Sequence, residues 1–286
     1  MGIKLGIMGE NITFTTLGIK QFRAGKFLSY LFFDRSEKRA VIINPIMDLM
    51  GDYRSYLAQN HLVLSWVIAT LTGGGYESAL ELFPKEVRVD PTLTDHLTVG
   101  SFKLMAFRSV GLYSDGILFL NDLDMIQPSF SRAFLEGLGK LPRNTVLYPG
   151  YDERGLVFSI LESEISGNTF PVPNLRLIEM GIEKYKCKLA EAAPESLFID
   201  VREPSEFLSG HIPNTQNLPF LEVGLRWTEL KEKKKIYISC TGGERSAQVV
   251  RTLNYLGLAN VIHIKAGFRG WANADLPIET GHLMAT

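Results

Sequence analysis

A short β-branched run, Lys235-Ile-Tyr-Ile-Ser239, ends at Cys240. Thr241-Gly242-Gly243-Glu244-Arg245-Ser246 follows, and Arg245 to Leu256 then carries apolar residues at helical spacing. A buried strand that passes straight into a helix belongs to a parallel sheet with helices on its faces. Leu197-Phe-Ile-Asp-Val201 and Val261-Ile-His-Ile264 supply two more strands of the same kind. Cys240 therefore stands at the carboxyl edge of a strand, where such sheets place ligands. Two glycines let the backbone curl so that its N–H groups point at one centre. With the helix dipole, that nest favours an anion, either the thiolate or a bound oxyanion. Arg245 adds a positive charge, and a cysteine placed this way is a nucleophile. Cys187, in the helix-like Glu183 to Leu189 stretch, has no such loop and reads as a half-buried bystander.

The chain has 286 residues, more than one small module needs, and at about 150 residues per domain it suggests two. The break is placed at Gly167-Asn-Thr-Phe-Pro-Val-Pro-Asn174, a poor helix or strand interior. The expected division is 1–166, a linker at 167–176, and 177–286. The first half reads as α/β too: strands at Phe27–Phe33, Ala40–Pro45 (stopped by the proline), Val63–Ala69 and Gly116–Asn121, helices at Asp48–Gln59 and Pro128–Leu138. Basic and acidic residues nearly cancel, 30 against 31, which gives no reason to expect nucleic acid or an anionic membrane as partner. Two cysteines exclude a disulfide framework. With no signal-like start and no run near the roughly 18 apolar residues of a membrane span, a cytoplasmic protein is expected.

Several pieces of the second half together resemble the rhodanese (sulfurtransferase) family. They are Phe198-Ile-Asp-Val-Arg-Glu203, Glu206-Phe207, Gly210-His-Ile-Pro213, Asn217-Leu-Pro219, the Cys240–Arg245 loop and Ala266-Gly-Phe-Arg-Gly-Trp271 before Pro277. The resemblance spans about Ile178 to Glu279. It implies that Cys240 takes a sulfane sulfur from a donor, holds it as a persulfide and passes it on, with the loop residues Thr241, Gly242, Gly243, Glu244, Arg245 and Ser246 cradling it. Asp200 and Arg202 are implied as groups that brace the loop. The six-residue loop is the size that resembles sulfur-transferring members; the related phosphatases carry one residue more. Asn214 stands where the family usually has Gly, and Asn is the next-best residue for a left-handed turn. Glu244 and the absence of a Lys or second Arg within the loop argue that thiosulfate, a dianion, is a poor donor beside a persulfide, polysulfide or protein donor. His211 reads as a turn residue, His263 and Trp271 as packed residues, and Lys231–Lys235 as a solvated helix end.

The first half resembles a metallo-β-lactamase-fold domain, in the persulfide dioxygenase and glyoxalase branch. The matching pieces are Phe27–Phe33, Ala40-Val-Ile-Ile-Asn-Pro45, Asp48, Leu141-Pro142 and Val146-Leu-Tyr-Pro-Gly150. That family implies a His-x-His-x-Asp-His metal cluster. Here Leu71, Gly73, Gly75 and Tyr76 stand in its place, Leu112 and Tyr151 stand for two later histidines, and only Asp122 or Asp124 remains. One carboxylate does not hold a catalytic metal.

The expectation is thus a two-domain α/β protein. An αββα sandwich of metallo-β-lactamase type, without metal or other cofactor, acts as scaffold. It is joined to a rhodanese-like parallel sheet that transfers sulfur from a small donor to a thiol, cyanide or protein acceptor. Homodimerisation is left open. The alternatives are a non-catalytic sulfide- or redox-sensing module and a metal-dependent persulfide oxygenase.

Overall fold

The computed structural model describes residues 16–70, 79–89, 96–107, 111–114, 116–120, 138–150, 155–166, 177–191 and 195–281. Two compact units divide the chain, Thr15–Asn168 and Thr169–Thr286, the latter grouped with Met1–Phe14. The expected linker at 167–176 lies outside the described residues, as do Leu71, Gly73, Gly75, Tyr76, Asp122, Asp124, Tyr151 and most of the helix expected at Pro128–Leu138.

The first unit opens with the hairpin β1 (Leu17–Ala24) and β2 (Phe27–Asp34), then β3 (Arg39–Ile43), α1 (Met50–Gln59), β4 (Val63–Ile68) and β5 (Arg88–Val89). These strands form one sheet in chain order, antiparallel through β3 and parallel beyond it. A second sheet holds β6 (Leu97–Val99), β7 (Phe102–Phe107), β8 (Gly111–Ser114), β9 (Ile117–Leu120), β10 (Val146–Tyr148) and β11 (Ser159–Ile160), also in chain order; α2 (Leu161–Ser166) follows.

β2 shows why the sheets stack. Its residues from Leu28 to Asp34 are all buried, the mark of a strand covered on both faces. Phe32 meets Phe102 and Phe119 of the second sheet at ring distances of 4.4 and 5.4 Å, and Tyr30 meets Tyr148 at 5.9 Å. The alternate residues Leu31 and Phe33 join a separate cluster with Ala40, Ile42 and Tyr53 of α1. The period of two thus sorts one run of aromatics onto two interfaces. Two inner sheet layers and one outer helical layer of the expected αββα sandwich are described.

Two buried polar residues fix the loops. Asp34 accepts hydrogen bonds from the N–H and Oγ–H of Ser36 and the N–H of Glu37, at 2.9, 2.6 and 3.1 Å. It also accepts from the N–H of Ser101 at 2.9 Å and from the Ser101 hydroxyl. One carboxylate thereby ties the turn after β2 to the β6–β7 hairpin. Burial alone would raise its carboxyl, but these hydrogen bonds outweigh it and hold the group well below the ordinary carboxylate range. Asn44, in the left-handed region at φ 54°, accepts from the N–H and hydroxyl of Thr70, both at 2.8 Å. It links the ends of β3 and β4.

The second unit is a five-stranded, all-parallel sheet. Its elements are β12 (Glu179–Met180), α3 (Ile182–Glu191), β13 (Ser196–Asp200), α4 (Pro204–Ser209), β14 (Gln216–Asn217), α5 (Trp227–Lys231), β15 (Lys235–Ser239), α6 (Glu244–Tyr255), β16 (Val261–Ile264) and α7 (Gly267–Asn273). The strand order is β12-β16-β15-β13-β14. Phe198, Tyr237 and Ile262 are register partners across three strands and pack with Tyr185, Leu189 and Trp271 on the face covered by α3 and α7. Phe198 and Tyr237 stack at 4.8 Å. α6 packs against β15 and β16. Trp271 is a core aromatic, and Asn214 takes φ 61°, the left-handed turn expected of it. Cys187 is exposed on α3 rather than half-buried, because Tyr185 and Leu189 take the inward positions.

Replacing Asp34 with Ala leaves three N–H and two O–H donors without their acceptor, and should destabilise the first unit by about 3 kcal/mol in urea unfolding. The carboxylate's contribution is present above pH about 4 and is lost as pH falls below it, because its folded-state value is depressed. The stability gap between wild type and Asp34→Asn should therefore close in acid. An Asp34→Ala protein that unfolds at the wild-type urea concentration would contradict this role.

Candidate active site

β15 delivers Cys240 to the end of the parallel sheet, where the residue is 1% exposed. The N–H of Gly243 donates to Sγ at 3.1 Å, and the Ser246 hydroxyl lies 3.4 Å from it. That hydroxyl also lies 3.0 Å from the Gly243 carbonyl. It has one proton for two acceptors, and a negative charge on sulfur draws the proton there. Gly243 turns its N–H inward because it sits at φ 114° as the N-cap of α6. A side chain at this position is strained, and its Cβ would lie 3.2 Å from Nε2 of His263.

The loop is fixed from a second side by the start of α7. The N–H groups of Phe268 and Arg269 donate to the carbonyls of Cys240 and Thr241 at 2.7 and 2.9 Å. Gly267, at φ 51°, allows that approach, since a Cβ there would run into the Cys240 carbonyl. The cysteine is thus held through its carbonyl by one helix and through its sulfur by the start of another.

Arg245 does not stand free beside the sulfur. Its guanidinium forms a two-pronged pair with Glu206 of α4, 2.7 Å on each arm, and donates to Thr241 Oγ1 at 2.9 Å. The Thr241 hydroxyl lies 3.0 Å from Glu206 Oε1, and the same carboxylate accepts the Glu203 N–H at 2.9 Å in a capping box. Burial works to raise the Glu206 carboxyl. The Arg245 hydrogen bonds, the Glu203 amide and the Thr241 hydroxyl outweigh it and pull the group down to about 2. Most of the Arg245 charge is spent on this clamp, which joins α4 to the loop's end. Glu206 lies within the pieces that resemble the family, and the sequence alone does not mark it as a site residue. Its signal is the Glu203-x-x-Glu206 capping pattern, which gives no hint of a partner 39 residues away.

Asp200 and Arg202 form a buried pair, with Nη2 2.7 Å from Oδ2. Arg202 also donates to the Gly210 carbonyl at 2.7 Å, and its guanidinium lies over the Phe268 ring at 4.2 Å. Bracing therefore runs from Arg202 through Phe268 to the Cys240 carbonyl. His211 stacks on Phe207 at 3.7 Å and its Nδ1 lies 3.0 Å from the Phe207 carbonyl. His263 is buried beneath the loop with Nδ1 3.3 Å from Glu179 Oε1, and its Nε2 has no hydrogen-bond partner among the described residues. Burial pushes its imidazole down, against the pull of Glu179, which favours the neutral ring at neutral pH.

The solvent side of the loop holds two residues that the loop sequence alone does not bring together. A Cβ on Gly242 would run into Nη2 of Arg269 and lie 2.9 Å from Oε2 of Glu244. Both side chains are exposed. The loop therefore does have a second arginine against it, supplied by α7.

Of the positions in the first unit where the resemblance implies metal ligands, Leu112 is described. Leu112 on β8, 2% exposed, has no donor atom to offer. Tyr113 uses its hydroxyl to accept the Gly116 N–H at 3.1 Å. His61 and His96 are both exposed. Among the described residues no three His, Cys, Asp or Glu side chains converge on a point.

A parallel sheet that ends on a buried cysteine, whose sulfur accepts a loop N–H, defines an α/β domain with a cysteine-centred loop site. The profile of the family described as Rhodanese-like domain matches residues 183–274, and the chain belongs to that family through its second unit. A sulfurtransferase of Allochromatium vinosum is 31% identical over 100 residues, covering 35% of this chain and 92% of that one. YrkF of Bacillus subtilis is 39% identical over 94 residues, 32% of this chain and 50% of that one, so the chain spans about half its length. Among solved structures, a metallo-β-lactamase from Staphylococcus aureus aligns with 88% of this chain and 100% of that one, at 14% identity and a TM-score of 0.36. No helix among the described residues is long and apolar enough to cross a membrane.

The Glu206 link should contribute fully at neutral pH and be lost as pH falls from 4.5 towards about 2, since its folded-state value is depressed. In unfolding measurements the stability difference between wild type and Glu206→Gln should shrink across that window. A difference that is constant with pH would remove the clamp from the account.

Proposed function

We propose that the chain is a sulfurtransferase that carries sulfane sulfur on Cys240. The observation that carries this reading is the Gly243 N–H aimed at a buried Sγ, within a loop locked at both ends. The Cys240 thiolate attacks the terminal sulfur of the donor. The new S–S bond forms as the donor's own S–S bond breaks, and that electron pair leaves with sulfite or a thiolate. Cys240 becomes Cys–S–S⁻, whose outer sulfur the loop amides of Gly242 to Ser246 stabilise by hydrogen bonding. An acceptor thiolate or cyanide then attacks the outer sulfur and restores the Cys240 thiolate. Two covalent steps of this kind need no external oxidant or reductant.

Gly243 and Ser246 act at the sulfur in this scheme. Thr241 and Arg245, clamped by Glu206, hold the loop's shape, as do Asp200 and Arg202 through Phe268. The first unit is proposed to be a metal-free pseudoenzyme that serves as a scaffold. Metal analysis of purified protein tests that part: stoichiometric iron with oxygen uptake would overturn it.

Intact-mass measurement after incubation with thiosulfate or glutathione persulfide should show a gain of one sulfur atom in wild type and none in Cys240→Ala. Steady-state transfer to a thiol should fall by about a thousandfold or more in Cys240→Ser. Retained turnover in that variant would end the assignment. A stable sulfur adduct without turnover in wild type would favour a sensing module instead.

A further inference from the structure

We propose that Arg269 determines donor specificity by holding the anionic leaving group of the sulfur donor over the solvent side of the Cys240 loop. The inference rests on the sulfur-transfer reading and names the kind of donor that the site prefers.

Three observations lead to it. First, the cation nearest in sequence is unavailable, because Arg245 is engaged on both arms by Glu206. Second, Arg269 starts beside the loop: its backbone N–H donates to the Thr241 carbonyl at 2.9 Å, and its guanidinium lies against Gly242. Only a residue without a side chain at 242 leaves room for it there. Third, Arg269 is exposed and its side chain makes no hydrogen bond or ion pair among the described residues. Its five donors thus face solvent at the loop's rim. A planar guanidinium in that position matches the oxygens of a sulfonate-like or carboxylate group.

The chemistry places charge there. When the Cys240 thiolate takes the outer sulfur of thiosulfate, the S–S electron pair departs on sulfite, and negative charge grows on the outgoing group. A cation at the rim stabilises that group as it leaves and offsets the charge repulsion of bringing a dianion to a thiolate. Glu244, on the same rim beside Gly242, acts in the opposite direction. The pair makes donor choice a balance between Arg269 and Glu244, and the expectation of a poor thiosulfate donor, drawn from the loop residues alone, is replaced by one in which Arg269 supplies the missing charge.

The test compares kcat/KM for thiosulfate with that for mercaptoethanol persulfide, whose leaving group carries no charged substituent, using the full chain. Arg269→Gln should lower the thiosulfate-to-persulfide ratio about tenfold, and Arg269→Lys should recover part of it. Glu244→Gln should raise the ratio. The thiosulfate rate should fall with added salt in wild type and lose most of that dependence in Arg269→Gln. Lys188→Gln, which removes an exposed positive charge on α3, should leave the ratio at the wild-type value. A ratio unchanged in Arg269→Gln, or one that moves equally in Lys188→Gln, would overturn the inference. If the wild-type protein gains sulfur on Cys240 from neither donor, the sulfur-transfer reading itself fails, and mass measurement separates that result from the other.

Discussion

The second unit depends on how firmly Cys240 is held at both of its ends. The Phe268 amide grips its carbonyl and the Gly243 amide grips its sulfur, at 2.7 and 3.1 Å. Both donors belong to the starts of helices, whose first N–H groups lack partners within their own helix. The sheet provides the third support, since β15 is paired on both sides by β13 and β16. Gly243 and Gly267 make the geometry reachable, each through a left-handed backbone that brings an N–H or a close approach where a side chain would block it. In the proposed transfer, a loop fixed in this way would meet developing charge on sulfur with dipoles already in place, so little reorganisation would be needed.

What the sequence reveals about this site follows its contiguity. Strand, cysteine, glycine pair and helix lie within about twenty residues, so period and turn chemistry suffice to read them. The same holds for β2, β3 and β9, which are apolar because they are buried, and for β4, which is buried at Val67 and Ile68. β1 escapes notice because Leu-Gly-Ile-Lys-Gln-Phe-Arg-Ala at a sheet edge is only partly buried and carries two cations. β5, β11, β12 and β14 are two residues long, too short for any period to show. Glu206 and Arg269 are missed as site members for another reason. They reach the loop from α4 and α7, and only the packing of those helices brings them there.

The charges illustrate the difference between possessing an arginine and having its charge to use. Arg245 is conspicuous in the loop, yet a carboxylate from another helix takes both of its arms. Arg202 is conspicuous at the strand end, yet Asp200 neutralises it and the Phe268 ring covers it. Both pairs are engaged in holding shape, and a buried or half-buried pair is worth most where breaking it would leave a charge stranded. An exposed guanidinium without a partner contributes little to stability, and its potential is left for a ligand.

The described part of the first unit is held together by an aromatic core that spans both sheets. Its interior joins Tyr30 and Phe32 of one sheet to Phe102, Phe119 and Tyr148 of the other, and a second cluster forms under α1. Leu112, standing where the family resemblance implies a histidine, is part of the buried hydrocarbon. Burying a leucine side chain contributes about 1.5–3 kcal/mol, whereas an imidazole at the same place would require hydrogen-bond partners or a metal to offset its desolvation. At this position core packing favours the fold without an ion. Tyr113, next along β8, commits its hydroxyl to the turn at Gly116. Leu112, where the resemblance implies a histidine, thus stabilises the sheet that carries it, and this packing favours the proposed reading of the unit as a scaffold.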